Sequence, residues 1–177
     1  MKKYILVLFF ALTSLSAFSQ NTIKFLGIPI EGTKKEMIAK LQAKGYEYNS
    51  YSDELRGEFN GQNVVISVQT VNNRVWRLAI IDITGREEAD IKIRFNNLYE
   101  QFLNNAKYKL AGGTQLKESD DVSYQMTVNK KRYDAYFTFV DNSINGCVWY
   151  MIAEQFGRYK IAMFYENLDN AANGDDL

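Results

Sequence analysis

Aromatic residues are concentrated in the last part of the chain, and their side chains could form a binding surface. Tyrosine and tryptophan suit such surfaces because each joins an apolar body to a group that forms hydrogen bonds. The three candidates for contact with a ligand are Tyr136, Trp149 and Tyr165. The alternative is that these rings fill an ordinary core, as large aromatic side chains commonly do. The sequence therefore predicts a binding face but does not identify its ligand.

Catalytic residues are much harder to find. The chain contains no histidine, which removes His-based acid–base catalysis, Ser-His-Asp triads and nearly all catalytic zinc sites. Cys147 is the single cysteine, and a free thiol is more often a small buried hydrophobe than a nucleophile. We therefore expect a protein that is not an enzyme and has no cofactor.

Acidic residues leave two alternatives open. Glu118, Asp120 and Asp121 cluster in a loop; calcium accepts such oxygen ligands, but a solvated loop is the more common meaning of a charge cluster. We therefore predict no metal site. Two acids facing each other across a cleft would be enough for a carboxylate-based hydrolase of glycan or cell-wall material, and this is the alternative function.

The charge balance excludes two classes of partner. The chain has 21 basic and 21 acidic residues, whereas a nucleic-acid binder normally has a basic excess or stripe. Polybasic attachment to a membrane is disfavoured on the same ground. Hydrophobic residues make up 46% of the chain and aromatic residues 14%, which is sufficient for a packed core.

The N-terminus has the pattern of a secretory signal peptide. Lys2 and Lys3 precede an uncharged apolar run over residues 4–12, and small residues at Ala17 and Ser19 predict cleavage between Ser19 and Gln20. We expect a periplasmic or secreted protein without a membrane span after cleavage. No cysteine lies near the cleavage site, so a lipid anchor there is not expected.

Two helices are marked by their caps and periodicity. Thr33 and Glu36 have the spacing of a capping box, which predicts a helix that ends near Lys44. Thr84 and Glu87 repeat that spacing before a second helix. The apolar residues of the second helix recur every three or four positions: Ile91, Phe95, Leu98, Phe102 and Ala106.

β-Strands are predicted from β-prone runs separated by turn residues. An entry strand over residues 23–30 precedes the first helix. A meander of three strands follows it, and four more strands follow the second helix: residues 55–59, 64–70, 75–83, 122–128, 132–140, 147–154 and 159–166. Asn60-Gly61 supplies the backbone freedom that a tight hairpin needs.

This order predicts an α+β fold in which two helix-plus-antiparallel-meander units follow one another, with the helices packed on the sheet. The predicted segments are a signal peptide (1–19), a first α+β module (20–84), a second α+β module (85–167) and a flexible acidic tail (168–177). The alternative is a single α+β domain with one continuous sheet.

One predicted strand breaks the usual alternation of apolar and polar residues. Residues 148–153 (VWYMIA) are apolar on both faces, whereas a sheet with one wet face should alternate. The second helix can cover one face. The other is buried against the first module, buried in a homodimer, or exposed as a binding surface for a protein or glycan. We expect a non-catalytic binding module that recognises a protein or surface polysaccharide.

Several segments resemble a group of small secreted proteins of Bacteroidetes-type bacteria with a domain of unknown function. They are FLGIP (25–29), GTK (32–34), LRGEF (55–59), the helix over residues 91–108, FYEN (164–167) and GDDL (174–177). The repeated helix and meander are also similar to the architecture of β-lactamase-inhibitor protein and to small periplasmic modules of outer-membrane assembly. That similarity implies binding of proteins through a sheet surface.

Overall fold

The computed structural model describes residues 22–171, so the predicted signal peptide and residues 172–177 of the predicted tail lie outside the described part. Residues 22–171 form ten strands and four helices. The strands are β1 (Lys24–Phe25), β2 (Ile28–Pro29), β3 (Glu47–Asn49), β4 (Glu54–Phe59), β5 (Gln62–Val71), β6 (Arg74–Asp82), β7 (Tyr108–Gly113), β8 (Asp134–Phe139), β9 (Gly146–Gln155) and β10 (Arg158–Asn167). The helices are α1 (Lys34–Gln42), α2 (Glu88–Leu103), α3 (Val122–Thr127) and α4 (Leu168–Ala171).

Eight strands form one antiparallel sheet in the order β3-β4-β5-β6-β10-β9-β8-β7, and β1 pairs with β2 separately. Two consecutive meanders, β3 to β6 and β7 to β10, meet where β6 pairs with β10. The predicted α+β class and antiparallel pairing are confirmed. The sheet continues without a break across the predicted module boundary at residues 84–85.

Tight turns fix the register of the hairpins. Asn60 and Gly61 both have positive φ, at 52° and 69°, as the sequence predicted for the β4–β5 turn. Phe156 and Gly157 do the same between β9 and β10, at 54° and 72°. Two central residues with positive φ are the signature of the type I′ turn, whose twist matches that of the strands. Each hairpin is therefore closed by two residues.

The first helix begins as predicted, and the second does not. Thr33 and Glu36 form the capping box at the start of α1. The N-cap of α2 is Glu87, which makes no side-chain capping bond, so the predicted box from Thr84 to Glu87 is wrong. Gly85 lies between them and has a high entropic cost in a helical first turn. The helix therefore starts one turn later.

The region between α2 and β8 differs most from prediction. Residues 122–127 are a short helix, not a strand, because the Asp121 side chain accepts a hydrogen bond from the Tyr124 N–H (2.8 Å) and caps it. The predicted entry strand is instead the β1–β2 hairpin, in which Leu26 has a φ of 51°. Residues 108–113, predicted as helix end and loop, form the edge strand β7.

Both long helices pack on one face of the sheet. Phe95 of α2 lies 4.9 Å from Tyr150 and Phe102 lies 4.9 Å from Phe137, measured between ring centroids. Met37 and Leu41 of α1 are buried in the same core. We call the opposite side of the sheet, which carries neither α1 nor α2, the open face.

Candidate binding surface

Antiparallel pairing brings three aromatic side chains into a row on the open face. Tyr136 is opposite Trp149, and Trp149 is opposite Phe164; residues directly opposite in an antiparallel sheet share a face. The ring centroids of Tyr136 and Trp149 are 5.1 Å apart with planes 3° from parallel. Those of Trp149 and Phe164 are 4.2 Å apart at 22°. The rings are therefore stacked across three strands.

A β-bulge extends the row into β6. Thr70 pairs with Val75 and Gln69 pairs with Arg77, so Trp76 is an additional residue in β6. Bulges re-aim side chains and increase the local twist. The Arg77 guanidinium carbon lies 3.9 Å from the Trp76 ring centroid and 5.4 Å from that of Phe164. We call Tyr136, Trp149, Phe164, Arg77 and Trp76 the open-face row.

A buried carboxylate fixes the centre of this row. Glu166 is 7% exposed. It accepts a hydrogen bond from the Trp149 indole Nε1 (2.7 Å), and it forms an ion pair with Arg77 (2.7 Å). Both contacts are charge-assisted, which makes them stronger than neutral hydrogen bonds. The orientation of the indole and of the guanidinium is therefore determined by one side chain.

Cys147 is the third partner of that carboxylate. Its Sγ donates to the Glu166 carboxylate at 3.4 Å. Burial, followed by the charge of Glu166, raises the pKa of the Cys147 thiol to about 12. A nucleophilic cysteine needs a lowered pKa. Cys147 is therefore a protonated donor within the site, in agreement with its expected structural role.

Tyr136 ends the row near the edge of the sheet. Its partner in β7 is Gly112, and a Cβ at that glycine would lie 3.9 Å from the Tyr136 Cβ. No side chain from residue 112 covers the outer face of the ring. Burial, followed by the charge of Glu166, raises the pKa of Tyr136. The half-buried phenol is therefore a neutral hydrogen-bonding group at one end of the row.

The structure brings together two of the three residues chosen from the sequence. Tyr136 and Trp149 stack on the open face, but Tyr165 points to the helix-covered face, where its ring centroid lies 5.1 Å from that of Phe25. Tyr165 and Trp149 are both buried, at 6% and 9% exposure, so Tyr136 is the one residue of the three that is half-buried. The residue that joins Tyr136 and Trp149 is Phe164, the neighbour of Tyr165.

Of the row residues that the sequence analysis missed, Phe164 could have been found from the sequence, but Trp76 could not. With Phe156-Gly157 as a two-residue turn, Gln155 pairs with Arg158, and counting six residues along each strand pairs Trp149 with Phe164. Gly157 marks that turn in the sequence. The bulge at Trp76 has no comparable local signal, because it becomes visible only when β5 and β6 are aligned.

The two buried acids among residues 22–171 do not form the pair that hydrolysis requires. Asp82, on the helix-covered face, binds Arg86 (2.8 Å) and Arg94 (3.4 Å). Glu166 lies on the open face with Arg77. Two carboxylates on opposite faces of one sheet cannot flank the same glycosidic bond.

In the acidic loop, the carboxylates of Asp120 and Asp121 accept hydrogen bonds from backbone N–H groups. Asp120 accepts a hydrogen bond from the Lys117 N–H (2.8 Å), while Asp121 caps α3. Within residues 22–171, no three acidic, cysteine or histidine side chains converge where they could hold a metal ion. In the same range, no helix has the length and apolar character needed to cross a membrane.

Comparisons with protein-family models, with curated proteins and with solved structures each found no match to this chain.

Proposed function

We propose that this chain is a non-catalytic binding module, exported from the cytoplasm, that recognises another protein through its open face. The observation that carries the proposal is the open-face row itself. Tryptophan, tyrosine and arginine are the residue types that most often dominate the energy of protein interfaces. Here Glu166 holds Trp149 and Arg77 in one arrangement, so these two side chains lose little conformational entropy when a partner binds.

The stacking geometry favours a protein over a polysaccharide. A sugar ring binds an aromatic side chain by placing its C–H groups against the electron-rich ring face. Both faces of the Trp149 ring are covered, one by Tyr136 and the other by Phe164. Trp149 itself is only 9% exposed, so a partner would contact mainly the half-buried rings of Tyr136, Phe164 and Trp76, which suit the side chains of a flat protein surface.

The proposal also covers the architecture of the chain, which has two helix-and-meander halves. Each half contains one long helix followed by four consecutive strands, and the halves meet at β6 and β10. We propose that they are two structural units joined edge to edge. The open-face row spans this junction, because Trp76 and Arg77 belong to β6 while Tyr136 and Trp149 belong to the second half. The similarity to β-lactamase-inhibitor protein supports the same kind of sheet-mediated binding.

Photo-crosslinking tests where the partner binds. A photoreactive aromatic amino acid, which keeps an apolar ring at the position, replaces Trp76 on the open face of the exported full-length chain. In a matched variant it replaces Tyr51, which is 99% exposed in the β3–β4 turn. We expect one discrete protein adduct from position 76 and none from position 51. Equal adducts from both positions would contradict the proposal.

A titration with the purified adduct partner decides whether binding uses the row. The chain has two tryptophans, Trp76 and Trp149, and both belong to the row, so their emission should change saturably on binding. Tyr136→Ala should weaken binding by roughly tenfold or more, as truncation of an interface hot spot does. Tyr124→Ala, at an α3 residue that is 52% exposed, should leave the affinity unchanged.

Two outcomes would replace the proposal with the alternatives. An adduct with a second copy of this chain, with a mass that depends on concentration, would assign the open face to a homodimer. Retardation in polysaccharide gels that Tyr136→Ala abolishes, without a protein adduct, would assign it to a glycan.

A further inference from the structure

The turn between β9 and β10 contains a residue that does not suit its backbone conformation. Phe156 is the first central residue of a type I′ turn and has a φ of 54°, which is unusual and costly for a bulky side chain. The β4–β5 and β5–β6 turns place Asn60 and Asn72 at the same position, with φ values of 52° and 49°. Asparagine tolerates positive φ because its short polar side chain forms hydrogen bonds locally. Folding alone therefore favours asparagine at position 156.

The Phe156 side chain is also almost completely in water. It is 94% exposed, whereas Ile93, the next most exposed residue with a purely hydrocarbon side chain among residues 22–171, is 59% exposed. At that exposure, contacts within the chain cannot offset the strained backbone. Stability that is given up at one residue without a structural return is typical of functional positions.

A half-open pocket large enough to receive this ring lies at the opposite end of the sheet. Its volume is about 440 Å³, and a cavity of about 150 Å³ already binds benzene. The pocket lies beside the start of β9, and Phe156 follows its end. The ten residues of β9 span roughly 30 Å, so Phe156 cannot enter the pocket of its own chain. The apolar residues of the lining are Tyr108, Phe139, Val140 and Ile144.

The mouth of this pocket has an excess of positive charge. Lys24 and Lys107 line it and are exposed, and neither ammonium group has an ion-pair or hydrogen-bond partner within residues 22–171. One acid, Asp141, is also in the lining. Its carboxylate accepts hydrogen bonds from the Ser143 N–H (2.9 Å) and the Ser143 hydroxyl (2.6 Å). Two cations therefore face one anion that is already hydrogen-bonded.

The β9–β10 turn carries the complementary charge. Glu154, two residues before Phe156, is exposed and makes no ion pair within residues 22–171. Arg158, two residues after Phe156, is paired with Glu87. Lys160 lies on the other face of the hairpin from Glu154. The approach of this turn to the two lysines is therefore electrostatically favourable.

We propose that copies of this chain associate head to tail, with the Phe156 ring of one copy inserted into the pocket of the next. This contact goes beyond the proposed open-face binding and does not depend on it, because neither the turn nor the pocket contains a residue of the open-face row. The two contacting surfaces are different, so each added copy leaves a free turn at one end and a free pocket at the other. The contact is small, and we expect a dissociation constant of roughly 0.1–1 mM.

Sedimentation equilibrium of the purified chain, after removal of its predicted signal peptide, tests the association. Between about 20 µM and about 1 mM, the average mass of the parent chain should rise beyond that of a dimer. Phe156→Asn should stay monomeric and should melt roughly 2–4 °C higher, because the turn is relieved of strain. Loss of association in this variant therefore cannot be attributed to unfolding. Tyr51→Ser removes the other fully exposed aromatic ring (99%) and should leave the association unchanged.

A second variant blocks the pocket and keeps the turn. Val140 is 54% exposed, so Val140→Glu places a charge in the apolar lining without altering the core. Alone, this variant should stay monomeric. An equimolar mixture of Val140→Glu and Phe156→Asn should form a one-to-one complex and nothing larger. The intact turn of the first variant then occupies the intact pocket of the second.

Three results would overturn the proposal. The first is that the parent chain stays monomeric over the whole range of concentration. The second is that Phe156→Asn associates as the parent does, which would place the contact elsewhere, for example on the open face. The third is that the mixture of the two variants forms no complex, which would show that Phe156 and the pocket do not meet. None of these results bears on the partner sought by photo-crosslinking at Trp76.

Discussion

The ion pair between Arg77 and Glu166 allows a quantitative test of how the open face is held together. Glu166 is 7% exposed and Arg77 retains 25% of its side-chain exposure. Removal of one partner of a buried pair strands the other charge and costs about 3–5 kcal/mol. Arg77→Met keeps the aliphatic stem but removes the cation. Because Arg77 is partly solvated, we expect the lower end, a loss of about 3 kcal/mol in the free energy of unfolding.

Glu166→Gln should cost less. The amide oxygen can still accept the hydrogen bond from Trp149 Nε1, and the guanidinium that loses its partner remains over the Trp76 ring. We expect a loss of about 1–2 kcal/mol, which is the value of a hydrogen bond to a charged group. In the double variant no charge is stranded. Its loss should therefore be smaller than the sum of the two single losses by about 1–2 kcal/mol.

The measurement is urea-induced unfolding followed by tryptophan emission and by far-ultraviolet circular dichroism. A control comes from the Lys34–Asp53 ion pair, whose side chains are 33% and 51% exposed; Lys34→Met should cost less than about 1 kcal/mol. Losses that add within about 0.5 kcal/mol would show that Arg77 and Glu166 are not coupled. In that case the carboxylate would not be the group that orients the row.

Two further predictions concern the helix-covered face and the first helix. Tyr150→Phe should lower the free energy of unfolding by about 1 kcal/mol, because its hydroxyl donates to the Phe95 carbonyl. Tyr165→Phe should be neutral, because the Tyr165 hydroxyl makes no hydrogen bond within residues 22–171. Equal losses in urea unfolding would contradict this. Thr33→Ala should cost about 1 kcal/mol through loss of the N-cap. The backbone and side-chain hydrogen bonds from Thr33 hold the pKa of Glu36 below 4.5, so its stabilising effect is complete above 4.5 and is lost as the pH falls through the lowered value. When unfolding midpoints are measured over a pH series, the Thr33→Ala variant should lose less stability on acidification than the parent chain. An unchanged pH profile would show that Thr33 and Glu36 are not coupled.

Local sequence signals were sufficient for the presence of the two long helices and for the β4–β5 turn. The capping box at Thr33 depends on three neighbouring residues, and the face of α2 depends on spacing within one element. The same is true of Asn60-Gly61, whose positive φ values close a hairpin regardless of the rest of the sheet. These features are encoded over a few residues, so they could be predicted without knowledge of the fold.

The wrong assignments depend in part on contacts with distant parts of the chain. Residues 122–128 contain Val, Tyr and Thr, which favour strands, but Asp121 caps them as a helix and Glu88 of α2 accepts a hydrogen bond from the Val122 N–H (2.8 Å). Residues 108–113 contain two glycines and read as a loop. They are a strand because β8 offers them an edge with which to pair.

The choice of Tyr165 instead of Phe164 shows where the alternation of residues along a strand does not identify the exposed face. When both faces of a strand are apolar, composition cannot tell which residues face the helices. The register of the β9–β10 hairpin decides, since Phe164 is opposite Trp149 while Tyr165 is opposite Val148. Tyr165 then belongs to the helix-covered core, next to Phe25. Tyr165 was therefore assigned to the wrong face of the strand, and its neighbour Phe164 is the residue that belongs to the open-face row.

The two apolar faces of β10 are covered in different ways, and this difference bears on function. On one face α2 provides a conventional core. On the other, the rings of Trp149 and Phe164 stack on each other, and the small residues Ala79 and Ala162 beside them are only 4% and 6% exposed. Most of the apolar area on that face is therefore removed from water without a second layer. What remains for a partner includes Tyr136 and Trp76 at the ends of the row, and Ile81, which is opposite Ala162 on the same face and 38% exposed. Alanine substitutions at Tyr136 and Trp76 should weaken binding more than they affect folding.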